Sequence, residues 1–120
     1  MVSLDGYEDW LILNGYKEKT PSGRHSTVYD YTLSIKHILS REGINITALA
    51  NNIDNIIKKY DKGGIQQAFG AKRHNTNISS LKCFKTYVIV SKMPFIVRSV
   101  IKAILYALKP LKKVCHIIIK

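Results

Sequence analysis

The stretch "AKRHNTNISSLKCFKTYV", residues 71–88, gathers side chains that can bind phosphate and read bases. Lys72, Arg73, His74, Asn75 and Asn77 open it, and Lys82 and Lys85 continue it. A second stretch is built alike: Lys17, Lys19, Thr20, Arg24, His25, Ser26 and Thr27 lead into an apolar-periodic segment that carries Lys36. Lys and Arg neutralise phosphates, and Ser, Thr, Asn and the free N–H groups of a helix start add hydrogen bonds to them. Asn can also pair bidentately with adenine in a major groove. The same residue types cover solvated helix faces, and Ser26 and Asn75 also suit plain capping. Composition alone does not choose between these readings.

Catalytic chemistry finds less support. General acid–base or nucleophilic work needs groups that converge. His25 and His74 each neighbour an arginine, Arg24 and Arg73, which suits phosphate and disfavours a divalent cation. His37 follows Lys36, and His116 stands in the final segment. The acids are scattered over the first 61 residues with no HExxH or DxD spacing. "DKGGIQQAFG" lacks the Lys-Ser/Thr of a phosphate loop. The sequence predicts a non-enzyme with no metal and no cofactor.

Charge separates two regions. Of the 19 Lys+Arg and 8 Asp+Glu in the 120 residues, residues 1–90 hold 12 cations and all 8 acids, and residues 91–120 hold 7 cations and no acid. The formal net charge of +11 favours a polyanionic partner, nucleic acid or an anionic membrane surface. The expected organisation is a helical domain over 1–90 and a basic apolar tail over 91–120, helical over about 95–109 between Pro94 and Pro110. Arg98, Lys102 and Lys109 form a stripe on that helix, and its apolar remainder suits either packing on the body or docking on a membrane or partner. Cys83 and Cys115 are expected as reduced thiols, in keeping with a cytoplasmic protein. The N-terminal "MVSLDGYEDW" is acidic and has no apolar h-region, so no secretory signal is expected.

The elements that must position these groups read as helices. Leu4, Tyr7, Trp10 or Leu11 follow helical spacing over 3–14, with Ser3 as cap and Gly15 as stop. "YKEKTPSGRHS" is a basic turn. Val28, Tyr31 or Thr32, Ile35, Ile38 and Leu39 mark a second helix, from Ser26 or Thr27 to about Glu42, ended by Gly43. Thr47 caps a short turn, Asn52 caps a helix over about 53–60, and residues 65–69 form another turn stopped by Gly70. Ile78, Leu81, Cys83 or Phe84, Tyr87 and Val88 mark a last helix from about His74 to Val90. The prediction is all-α: a small bundle of four to five helices plus the tail.

Three segments together resemble a known family. "WLILNGYKEKT", "STVYDYTLSIKHIL" and "NTNISSLKCFKTYV" stand in the order found in the N-terminal core-binding, SAM-like domain of tyrosine recombinases and phage integrases. The resemblance covers about residues 4–90. It implies a helical domain that clamps duplex DNA, with the basic entry to the second helix and the basic side of the last helix toward it. Leu81, Phe84 and Val88 would then be core. The loop "KEKTPSGRHST" is longer than the family's usual step, which leaves Thr20 and Thr27 as alternative starts of the Thr-led helix. The family's catalytic Arg, Lys, His-x-x-Arg and Tyr have no counterparts here, so the resemblance implies DNA binding without strand cleavage. A separate or lost catalytic domain is the partner it suggests. Membrane or partner binding through residues 91–120 is the alternative.

Overall fold

The structure is a computed structural model that describes residues 2–18, 26–93, 99–100 and 103–104. Among these it is all-α, with six helices and no strand: α1 Leu4–Leu13, α2 Thr27–Glu42, α3 Ile46–Asn51, α4 Ile53–Tyr60, α5 Gln67–Gly70 and α6 Lys72–Ser91. The bundle of helices expected from the sequence is present.

Helix ends follow local chemistry. Ser3 Oγ accepts the Gly6 N–H at 2.9 Å and starts α1. At its end the Tyr16 N–H reaches Leu11 O at 3.1 Å and the Gly15 N–H reaches Ile12 O at 3.1 Å, with Gly15 at φ 87°. The end of α2 repeats this, with Gly43 at φ 66° and Ile44 N–H on Leu39 O at 3.1 Å. Both closures need a left-handed residue, which glycine supplies without a Cβ clash. The cap of α3 is Asn45, whose Oδ1 accepts the Ala48 N–H at 2.8 Å, so the helix starts before the expected Thr47.

Packing is organised on α6. Its closest neighbour is α2, with α4, α5 and α1 around it. Ile78, Leu81, Cys83, Phe84, Tyr87 and Val88 are buried, as the periodicity predicts, but so are Asn77, Ser80, Thr86 and Val90. From Asn77 on, α6 is therefore a central helix enclosed on most sides. Its small polar residues permit this because their hydroxyls are satisfied: Ser80 Oγ donates to Tyr31 O at 2.7 Å, and Thr86 Oγ1 to Lys82 O at 3.4 Å. The Tyr7 ring meets Phe84 edge-on at 5.3 Å, and its hydroxyl donates to Ser80 O at 3.0 Å. Burying side chains of this size contributes about 1.5–3 kcal/mol each.

The start of α6 departs from the expected regular helix. Arg73, His74 and Asn75 have φ of 56°, 58° and 66°, in the left-handed region. Left-handed backbone costs an L-residue about 1–2 kcal/mol each, so neighbouring contacts must hold this turn. Arg73 Nη2 donates to Ser34 Oγ at 2.9 Å and to Asn77 Oδ1 at 3.4 Å. Thr76 Oγ1 donates to Arg73 O. Asn77 Nδ2 donates to Phe69 O at 2.9 Å, which joins the turn to α5.

Cys83 is buried and is not a free thiol, which corrects the expectation of a reduced cysteine there. Cys115 lies outside the described residues, as does most of the expected tail helix with Arg98, Lys102 and Lys109. Residues 99, 100, 103 and 104 are helical, and Val100 and Ile104 are exposed there by 55% and 52%. No helix among the described residues is long and apolar enough to cross a membrane.

Candidate nucleic-acid interface

The structure divides the candidate residues into four groups. Lys19, Thr20, Arg24 and His25 lie outside the described residues. Lys17 is exposed after α1, and Ser26 and Thr27 are half-buried at the start of α2. Ser26 is the N-cap of α2 by position, without a side-chain cap bond; its N–H bonds to Glu18 O at 3.3 Å. Lys36 is exposed but falls about 140° around α2 from Arg41, at 100° per residue, and so does not share its face.

On α6 the expected DNA-facing row breaks up. Asn77 is buried, and both ends of its amide are committed, to Phe69 O and Arg73. It cannot read a base, which corrects its placement on the exposed side. Lys82 pairs with Asp61 at 3.2 Å, and Lys85 with Asp54 at 2.7 Å, both from the α4 side. These half-exposed pairs contribute little to stability, about 0–1 kcal/mol. They do place a carboxylate where a phosphate would have to approach, so Lys82 and Lys85 leave the proposed contact surface. Both burial and pairing follow from α6 being central, a tertiary fact that helical spacing did not carry.

Lys72, Arg73, His74 and Asn75 remain, all exposed at the left-handed turn. The fold adds Arg41, which sequence reasoning left off the site. The Arg41 guanidinium carbon lies 4.4 Å from the centre of the Phe69 ring, and Lys72 Nζ lies 5.5 Å from the same centre. Both are within cation–π range. Arg41 Nε and Nη2 also donate to Gln66 Oε1 at 3.2 and 2.8 Å. Residues 41, 66, 69 and 72 thus meet where the end of α2, α5 and the start of α6 converge, while Arg73 reaches Ser34 in the middle of α2 and Asn75 lines a cleft with Asp61 and Lys82. The only hint in sequence was the aromatic in "AFGAKR"; its meeting with Arg41 is a long-range contact.

Local electrostatics favour an anion here. Glu42, the nearest acid in sequence, is 13% exposed and turned to α4, where its Oε1 accepts from Lys59 Nζ and its Oε2 from Tyr60 Oη, both at 2.7 Å. Burial raises its pKa, but hydrogen bonds from Lys59 and Tyr60 and the charges of Lys59 and Arg41 outweigh this and hold it below the usual carboxylate range. Burial, then the Glu42 contact, pushes the Tyr60 hydroxyl up. For Asp61, burial raises the pKa, but the Lys62 backbone N–H and Lys82 more than offset it, so it stays ionised and paired. Among the described residues, Arg41, Lys72 and Arg73 have no carboxylate at ion-pair distance. The acids of this region are spent on Lys59, Lys82 and Lys85.

Among the described residues no group of three or more His, Cys, Asp or Glu could hold a metal ion. Comparison of the chain with protein-family models, with curated proteins and with solved structures finds no match.

Proposed function

We propose that this protein is a non-catalytic duplex-DNA-binding module, with Arg41, Lys72, Arg73, His74 and Asn75 at the contact surface. The observation that carries this reading is the sorting of charge. Arg41 and Lys72 meet over the Phe69 ring and Arg73 bonds to neutral Ser34 and Asn77, while Asp54, Asp61 and Glu42 make their ion pairs with Lys85, Lys82 and Lys59. The net charge of +11 and the segment order shared with recombinase core-binding domains support the same reading. Lys17, Ser26 and Thr27, at the start of α2, are a separate candidate contact in this proposal. A cytoplasmic location goes with such a partner, and a separate catalytic chain or domain would supply any chemistry.

The test is a fluorescence-anisotropy titration of a labelled duplex at several salt concentrations. Affinity should fall with a log–log slope of about −3 or steeper, since each neutralised phosphate contributes about −0.9. No binding at low salt, or binding indifferent to salt, overturns the proposal.

Exposed Val100 and Ile104, each at a helical position, favour a second reading in which the tail docks on an anionic membrane. Sedimentation with anionic vesicles, comparing the full chain with a chain ending at residue 90, separates the two. Vesicle binding lost on truncation, without duplex binding by either chain, supports the second.

A further inference from the structure

Two like charges held near each other need something to hold them. A carboxylate is the usual device, but it would cancel the field that attracts a phosphate. At the junction of α2, α5 and α6 the device is an aromatic ring. Arg41 comes from α2 and Lys72 from α6, and both charges lie over Phe69, at 4.4 and 5.5 Å from its centre. The negative face of the ring attracts each cation without itself adding a full negative charge to cancel it.

The ring is itself fixed. Tyr60 meets it edge-on at 5.8 Å, and Asn77 Nδ2 holds the Phe69 carbonyl at 2.9 Å. Gly70 packs against the Tyr60 carbonyl so closely that a Cβ there would collide with it, which locks α5 onto α4. On the other side Gln66 Oε1 takes two guanidinium donors, from Nε and Nη2, which fixes the plane of the Arg41 guanidinium. Arg and Lys ordinarily lose much rotamer freedom on binding, and a fixed platform removes part of that cost beforehand.

We propose that Phe69 is the positioning residue of the interface, and that its ring holds Arg41 and Lys72 as a preformed clamp for neighbouring phosphates of one nucleic-acid strand. This rests on the nucleic-acid reading above. Phe69 touches no phosphate; it acts through the two cations.

The experiment measures duplex affinity and its salt dependence for wild type, Phe69→Leu, Phe69→Tyr and Arg41→Gln, with helicity by circular dichroism as a check of folding. Phe69→Leu should weaken binding by about five-fold, the scale of one cation–π contact, with the salt slope unchanged because the charges are still there. Phe69→Tyr should restore affinity to within about two-fold. Arg41→Gln should flatten the slope by about 0.9. If Phe69→Leu does not fold, Phe69→Met, of similar volume but without a ring, takes its place. A folded Leu or Met variant with wild-type affinity overturns the clamp and leaves the DNA reading standing. Absence of duplex binding by wild type overturns both.

Discussion

Arg73 Nη2 donates to the buried Oγ of Ser34, 39 residues earlier in the chain, at 2.9 Å. This bond ties the left-handed start of α6 to the middle of α2, and it fixes where the exposed Arg73, His74 and Asn75 stand. Ser34→Ala should cost about 1 kcal/mol in urea denaturation, the net worth of one hydrogen bond. It should also loosen the turn, read as a loss of amide-exchange protection at residues 73–77 with α2 unaffected. Unchanged protection there would mean that the turn is held by other contacts.

The strain in the turn gives a second prediction. His74 has φ 58°, a conformation that suits glycine. His74→Gly should leave stability unchanged or raise it by up to about 1 kcal/mol. In a regular right-handed helix the same change costs about 0.3–0.5 kcal/mol. Thermal unfolding of the variant therefore reports the local backbone directly, and a clear loss of stability would argue for a right-handed start to α6.

The division of lysines into paired and available ones makes a third. Lys72→Gln should weaken duplex binding and flatten the salt slope by about 0.9. Lys85→Gln, which removes the partner of Asp54 at 2.7 Å, should leave affinity within about two-fold. Equal effects of the two substitutions in one anisotropy series would return Lys85 to the contact surface.

Glu42 makes a fourth, in pH. Its folded-state pKa lies below the ordinary value, so the folded protein holds its proton less readily than the unfolded chain. The stabilisation is present above the unfolded carboxylate pKa and is lost as pH falls through the folded one. Glu42→Gln should lose about 1–3 kcal/mol at neutral pH, since it removes two charge-assisted bonds from a nearly buried site. The variant should also unfold with a weaker dependence on pH on the acid side. A parallel acid dependence in wild type and variant would assign the acid sensitivity to other carboxylates.

Much of the fold was legible in the residues. Val28, Tyr31, Ile35 and Ile38 recur at three and four, so α2 was readable from its apolar face, and Gly15 and Gly43 sit where a left-handed closure is needed. The last helix was legible in place but not in depth. Ser80 and Thr86 are polar residue types, yet both are fully buried because hydroxyl-to-carbonyl bonds and small volume let neighbouring helices close over them. A periodicity count scores polarity and has no access to such partners.

The sequence by itself determined the helices, most of their ends and an excess of positive charge, because these follow from short-range sterics, capping and composition. Which charges remain available was decided only by the tertiary structure. Lys82 and Lys85 meet acids of α4, Asn77 is enclosed, and Arg41 reaches Phe69 and the neighbourhood of Lys72 across the chain. Each of those outcomes depends on residues distant in sequence approaching within a few ångströms, and Coulomb and hydrogen-bond energies are decided at that range.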